Sequence, residues 1–139
     1  MKRFVLDASV ALAWFVDHPT PPLADAARRS LLHGAQAIVP ALWHLEMANG
    51  FAMSERRGIL TVADTALALE NVGRLLGSAI ETDVGPVSMR VAVNTARDFQ
   101  LTAYDAVYID TSCRHKFALA TLDRRLASAA AKAGVPLFK

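Results

Sequence analysis

The sequence of 139 residues contains a single cysteine, Cys113. An internal disulfide therefore cannot form, and a zinc site built from cysteine thiolates is excluded. One cysteine fits a reducing compartment, so we expect a cytoplasmic protein. Only four histidines are present, and they show no ligand spacing. A metal site in this chain would therefore need oxygen ligands.

Long apolar runs are also missing, and no stretch is long enough to span a bilayer. The start of the chain, Lys2-Arg3 followed by apolar residues, has the outline of a signal peptide. Asp7 interrupts that stretch and no small-residue cleavage site follows, so we expect neither a signal peptide nor a membrane segment. The net charge is only +2, which permits an anionic partner without requiring one.

The chain has no polar low-complexity tract and no internal repeat, and 53% of it is hydrophobic. We expect one domain over residues 1–139. Short apolar strands alternate with helices, which predicts an α/β fold with three layers and a parallel central sheet. The predicted strands are 4–6, 36–40, 79–83, 118–123 and an edge strand at 135–138. The predicted helices span 9–16, 41–57, 61–77, 86–99, 101–115 and 124–134, and a further helix lies between an N-cap at Thr20 and a stop at Gly34. Gly58 closes the helix at 41–57, and a capping box of Thr61 and Asp64 begins the helix at 61–77.

Four acidic residues lie where this sheet would bring them together. Asp7 ends the first strand and Asp123 ends "ALATLD"; ligands of open parallel sheets bind beyond such strand ends. Asp105 falls in the first turn of a helix at the same end. Glu46 lies in a largely apolar helix, which predicts that it points into a partly enclosed space with Asn49 one turn later.

Each acid also has an ordinary structural interpretation. Asp7 and Asp123 could cap the helices that follow them. Asp105 could form a capping box with Thr102. Glu46 could be a solvated glutamate at the mouth of a groove. Capping does not explain why four acids should converge on one edge of the sheet.

Converging carboxylates repel and raise one another's pKa unless a cation lies between them. Oxygen ligands predict a hard cation, Mg²⁺ or Mn²⁺. Such an ion suits phosphate chemistry, since it lowers the pKa of a bound water that attacks phosphorus. Ser9 could hold a water or phosphate oxygen at this site, or could cap the first helix.

Four motifs together resemble the PIN-domain ribonucleases, and more narrowly the VapC toxins of toxin–antitoxin pairs. The motifs are "VLDASV", "HLEMANGF", "LTAYDAVYI" and "ATLDRRL", and the resemblance runs from Phe4 to about Val135. It implies a divalent-metal-dependent endoribonuclease that acts on RNA such as tRNA or ribosomal RNA. It further implies a homodimer and a VapB-like antitoxin that blocks the site.

The resemblance assigns roles to individual residues. The acidic, metal-binding quartet of the family matches Asp7, Glu46, Asp105 and Asp123. Thr121 matches a position near the last acid that often carries a hydroxyl group. Asp110 departs from the family pattern, which has small apolar residues there, so we expect it to face solvent and leave it outside the site.

Basic residues occur in short groups at 56–57, 114–116 and 124–125. The first two groups fit helix C-termini, where positive charge complements the helix dipole. Arg124 and Arg125 begin a helix, where the dipole disfavours them, so we expect them to bind the RNA backbone. The apolar set Trp14, Phe15, Trp43, Phe51 and Met53 is mostly core, although part of it could line a groove for an antitoxin helix.

Two other classes of protein are alternatives. The first, an aspartyl-phosphate phosphatase or a receiver-like domain, also places an aspartate after the first strand. The second is a binding module that keeps the fold without activity. An aspartyl-phosphate phosphatase needs a second acid two residues after the first, where this chain has Ser9. A receiver-like domain needs an acidic pair and a distant lysine that we cannot place. A catalytically inactive RNA- or protein-binding module would have no need of all four acids.

Overall fold

The computed structural model describes residues 2–139, in which four strands and seven helices follow one another along the chain. Within that range no helix is long and apolar enough to cross a membrane. The elements are β1 (Arg3–Leu6), α1 (Ala8–Val16), α2 (Pro22–Leu32), β2 (Gln36–Pro40), α3 (Leu42–Arg56), α4 (Val62–Leu76), β3 (Ile80–Asp83), α5 (Met89–Phe99), α6 (Ala103–His115), β4 (Ala118–Ala120) and α7 (Arg124–Lys132).

The four strands form one parallel sheet in the order β3-β2-β1-β4. Phe4, Val5 and Leu6 are fully buried although successive strand residues point to opposite faces. Helices therefore cover both faces, which confirms the predicted α/β fold. β1 is a central strand and pairs with β4 through Leu6 and Ala120. The carboxyl ends of the first and last strands are thus direct neighbours.

The helices pack against the sheet and against one another. α6 contacts β1, β2 and β4 and carries α5 on its other side, while α1 packs against both α2 and α3. Large apolar residues fill these contacts: Trp14, Trp43 and Phe51 are buried, and Phe15 and Met53 are partly buried. The expectation that this set is mostly core is confirmed.

Several predicted boundaries are confirmed. Thr61 and Asp64 form both hydrogen bonds of a capping box at the start of α4. Gly34 and Gly58 follow the ends of α2 and α3 with φ of 98° and 72°. A side chain is strained in this left-handed region, so glycine suits both helix stops.

Other boundaries are wrong for local reasons. Pro21, not Thr20, precedes α2, with Pro22 as its first residue. α5 begins at Met89 instead of Pro86, because the Ser88 hydroxyl accepts the Val91 N–H and caps the helix there. The strand predicted over 118–123 ends at Ala120, and the edge strand at 135–138 is reduced to one bridge between Leu119 and Leu137.

Two helical glycines differ in the space around them. A Cβ on Gly50 of α3 would lie 2.5 Å from Leu12 Cδ1 of α1, whereas a Cβ on Gly73 of α4 would meet nothing within 4 Å. We expect Gly73→Ala to stabilise the protein by about 0.5–1 kcal/mol through helix propensity. Gly50→Ala should be about 1–3 kcal/mol less stable than Gly73→Ala, because Leu12 must move. Urea unfolding of the two variants measures this difference, and an equal gain in both would contradict it.

Candidate active site

Asp7 follows β1 and is buried, with 6% of its surface exposed. It occupies the N-cap position of α1, but its side chain does not cap that helix. Its Oδ2 instead accepts hydrogen bonds from Ser9 Oγ at 2.6 Å and Thr121 Oγ1 at 2.7 Å. The capping interpretation of Asp7 is therefore wrong, and its carboxylate is held by two hydroxyl groups.

The two hydroxyl groups join the start of α1 to the loop after β4. Ser9 Oγ accepts the Leu122 N–H at 3.0 Å, and Thr121 Oγ1 accepts the Asp123 N–H at 3.0 Å. Each hydroxyl thus accepts from the backbone and donates its proton to Asp7. Ser9 does not cap α1, so that alternative is also wrong.

The pKa of Asp7 is raised, and burial is the main cause. The hydrogen bonds from Ser9 and Thr121 oppose the shift, while repulsion from Asp105 and Asp123 adds to it. Asp7, Asp105 and Asp123 therefore lie close enough for their charges to interact, as the ends of adjacent strands predict.

Asp105 lies in the first turn of α6 and is partly buried. Its backbone N–H is capped by Thr102 Oγ1 at 3.1 Å. Burial raises the pKa of its carboxyl and repulsion from Asp123 raises it further, while the Thr102 hydroxyl and the Arg125 charge oppose the shift. Thr102 thus caps the N-terminus of α6, and the Asp105 carboxylate lies within reach of the negative charge of Asp123 and the positive charge of Arg125.

Asp123 is the N-cap of α7, so its capping interpretation is confirmed. Its Oδ1 accepts the N–H groups of Arg125 at 2.9 Å and Leu126 at 3.2 Å. Oδ2 takes no part in the cap. The same carboxylate repels Asp7 and Asp105, so capping and proximity to the other acids coexist in one residue.

Glu46 reaches the same region from α3 and is partly buried. Its Oε1 accepts a hydrogen bond from the hydroxyl of Tyr108 at 2.6 Å. Burial raises the pKa of Glu46, the Tyr108 hydrogen bond opposes this, and repulsion from Asp7 and Asp105 adds to it. The four acids therefore share one electrostatic environment. Asn49, one turn later, is exposed.

Sequence reasoning missed Tyr108. It follows Asp105 by three residues on α6 and so shares its helix face, which is the signal that would have identified it. The Tyr108 side chain is fully buried, and burial and the charges of Asp7 and Glu46 raise the pKa of its hydroxyl. The hydroxyl group keeps its proton and acts as a donor to Glu46.

Asp7 and Asp105 repel each other, and each also repels Glu46 and Asp123, but the four carboxylates do not surround a common point. Across residues 2–139, no three His, Cys, Asp or Glu side chains are arranged to hold one metal ion. One oxygen of Glu46 is hydrogen-bonded to Tyr108, and one oxygen of Asp123 is hydrogen-bonded to the backbone of α7. Sharing of one ion by all four acids remains a prediction. Their oxygen atoms are nevertheless the donor type that Mg²⁺ and Mn²⁺ prefer.

Asp110 lies outside this group, as expected, but it does not face solvent. It is partly buried, and its Oδ1 accepts a hydrogen bond from Thr95 Oγ1 of α5 at 2.5 Å. It lines a cavity of about 440 Å³ between the start of α3, α5 and α6. The expectation of a solvent-facing Asp110 is wrong, because α5 covers this part of α6.

Arg124 and Arg125 are exposed at the start of α7, beside the acids. The Arg125 guanidinium donates to the Gln100 carbonyl oxygen at 3.4 Å, and its charge reaches Asp105. Positive charge thus lies at the rim of the acidic site.

The fold and the site together define an α/β domain with an acidic centre at the carboxyl edge of a parallel sheet. The acidic centre consists of Asp7, Glu46, Asp105 and Asp123. The chain belongs to the PIN domain family, whose model matches residues 4–132. PIN domains are generally nucleases and typically use divalent metals. The chain therefore has a nuclease-type fold.

A solved structure is similar over most of the chain. It is the crystal structure of PAE2754 from Pyrobaculum aerophilum, with a TM-score of 0.70 and 22% sequence identity over 92% of this chain and 84% of that one. At this identity the similarity shows the fold alone. The search of curated proteins found no match.

Proposed function

We propose that this protein is a divalent-metal-dependent endoribonuclease that hydrolyses phosphodiester bonds in tRNA, ribosomal RNA or mRNA. The observation that carries the proposal is the buried Asp7, held by two hydroxyl groups and repelled by Asp105 and Asp123 at the carboxyl edge of the sheet. A folded protein bears such repulsion at a site whose charge a bound cation compensates.

The carboxylate oxygens of the four acidic residues are the donor type that Mg²⁺ and Mn²⁺ prefer, although no three of the side chains are arranged around one point in the described residues. Asp7, Glu46, Asp105 and Asp123 would hold the ion, and all four offer carboxylate oxygens. When bound, the ion lowers the pKa of water and stabilises negative charge on a phosphate. No protein nucleophile is needed for that reaction.

The surrounding residues would orient the site and the substrate. Ser9 and Thr121 fix the orientation of Asp7 through the hydrogen bonds they donate. Asn49, which is exposed one turn after Glu46, would help to position a phosphate. Arg124 and Arg125 would attract the RNA backbone to an otherwise negative surface.

We further propose that the protein is the toxin of a toxin–antitoxin pair, acting in the cytoplasm as a homodimer and inhibited by a VapB-like antitoxin. Support comes from the order and spacing of the four motifs and from membership of the PIN domain family. Induction in cells with and without a co-expressed antitoxin tests this role. Growth arrest that the antitoxin does not relieve would contradict it.

Cleavage of purified tRNA and ribosomal RNA, followed by sequencing of the new RNA ends, tests the proposed reaction. We expect cleavage with Mg²⁺ or Mn²⁺ and none with EDTA. Asp105→Asn should reduce the rate by about 100- to 1,000-fold, the usual effect of losing one oriented electrostatic group at a reacting centre. Asp110→Asn is the matched control, because Asp110 is also a partly buried acid on α6 but lies outside the acidic centre. Cleavage that persists in EDTA, or equal losses in both variants, would contradict the proposal.

A further inference from the structure

The acids of the centre differ in how their side chains are held. Asp7 is short, buried and bonded to two hydroxyl groups, and Asp123 is anchored by the helix it caps. Glu46 has a longer side chain and comes from α3, which packs against α1, α4 and β2, whereas α6 packs against β1, β2, β4, α5 and α7. Ordering a glutamate side chain is among the larger entropic costs of fixing any residue. Glu46 therefore needs a partner if its carboxylate is to stay beside Asp105.

Tyr108 supplies that partner from α6. Its hydroxyl donates to Glu46 Oε1 at 2.6 Å, across 62 residues of sequence. The ring is fully buried, so the hydroxyl has a fixed position. The hydrogen bond uses Oε1 of Glu46 and leaves Oε2 out of it. It also links α3 to α6, the helix that carries Asp105.

We propose that Tyr108 is a positioning residue that acts through Glu46, holding its carboxylate in place for a divalent cation shared with the neighbouring aspartates. The inference rests on the proposed function, because it assumes that the acidic residues bind this cation. It does not depend on RNA being the substrate, because cation binding is measured on the protein alone.

The test is a double-mutant cycle read by Mn²⁺ affinity, with calorimetry or electron paramagnetic resonance on the full-length chain. The variants are Tyr108→Phe, Glu46→Ala and their combination. Tyr108→Phe should weaken Mn²⁺ binding by about tenfold, as loss of a hydrogen bond to a metal ligand commonly does. In the Glu46→Ala background the same change should have no further effect. A merely structural role of Tyr108 would weaken binding equally in both backgrounds.

Tyr104→Phe is the matched control, because it removes the same hydroxyl from an exposed tyrosine one turn earlier on α6. Its Mn²⁺ affinity should equal that of the parent. Excess Mn²⁺ should also restore RNA cleavage by Tyr108→Phe, since the defect lies in cation binding. An unchanged affinity in Tyr108→Phe, additive losses in the cycle, or no Mn²⁺ binding by the parent would overturn the inference. Mn²⁺ binding with the expected cycle but without RNA cleavage would overturn only the proposed function.

Discussion

Replacing Asp7 with asparagine should reduce RNA cleavage by about 1,000-fold or more while leaving the protein folded. Asp7 is the most buried of the four acids, and its charge repels those of Glu46, Asp105 and Asp123. Asparagine has the same shape, and its carbonyl oxygen can still accept from Ser9 and Thr121. The variant therefore removes the charge without removing the hydrogen bonds.

The same substitution should stabilise the metal-free protein at neutral pH by about 1 kcal/mol or more, because a buried, repelled charge is gone. The folded-state pKa of Asp7 is raised above its unfolded value. Its contribution to stability is therefore fully present below the unfolded pKa and is lost as pH rises through the folded pKa. The advantage of Asp7→Asn should accordingly be seen at pH 7 and shrink as the pH falls toward 4.

Thermal unfolding with and without Mg²⁺ measures both effects. The ion should stabilise the parent, by about 2.7 kcal/mol at a hundred times its dissociation constant, and should have little effect on Asp7→Asn. The control Asp110→Asn should keep the full response to Mg²⁺. An Asp7→Asn protein that cleaves RNA at the parental rate, or that is stabilised equally by Mg²⁺, would contradict this account.

Replacing Thr121 with valine should destabilise the protein by about 2–3 kcal/mol, the effect expected when a buried carboxylate loses a donor. The valine has nearly the same shape, so the core is not opened. Asp7 would keep only the hydrogen bond from Ser9, and the Asp123 N–H would lose its acceptor. Urea unfolding at pH 7 measures the change.

Thr111→Val is the matched control for that substitution. Thr111 is as buried as Thr121, but its hydroxyl donates only to the Val107 carbonyl of its own helix, at 2.7 Å. That carbonyl lies in the regular part of α6, where a backbone N–H can satisfy it. We expect a loss below about 1 kcal/mol there. Equal losses in the two variants would mean that the hydroxyl of Thr121 has no special role at Asp7.

The fold could be predicted from the sequence wherever the signal was local. The apolar runs marked β1 and β2, the Thr61–Asp64 pair marked the start of α4, and Gly58 marked the end of α3. The predicted start of α5 at Pro86 was wrong, because the helix begins after Ser88, whose side chain caps it. The order of the strands was not predictable, because parallel pairing joins segments far apart in the chain.

The site was predictable as a set of positions but not as a network of contacts. The predicted strand ends placed Asp7 and Asp123 at one edge of the sheet. β4 ends at Ala120, and its pairing with β1 and the short loop after it bring Asp123 close enough to repel Asp7. The bond from Thr121 to Asp7 spans 114 residues and that from Tyr108 to Glu46 spans 62. Spacing along the chain carries no information about such contacts. The resemblance to PIN-domain proteins indicated Thr121, whereas Tyr108 emerged only from the hydrogen bond that its hydroxyl on α6 donates to Glu46 on α3.

We propose that these carboxylates share a divalent cation. Crystals grown with Mn²⁺, measured for anomalous scattering at the manganese edge, test it most directly. We predict an ion about 2.0–2.3 Å from an oxygen of Asp7 and from an oxygen of Asp105 or Asp123, at distances normal for small divalent cations. A manganese peak bound elsewhere, with the acidic centre empty at a saturating concentration, would contradict the account.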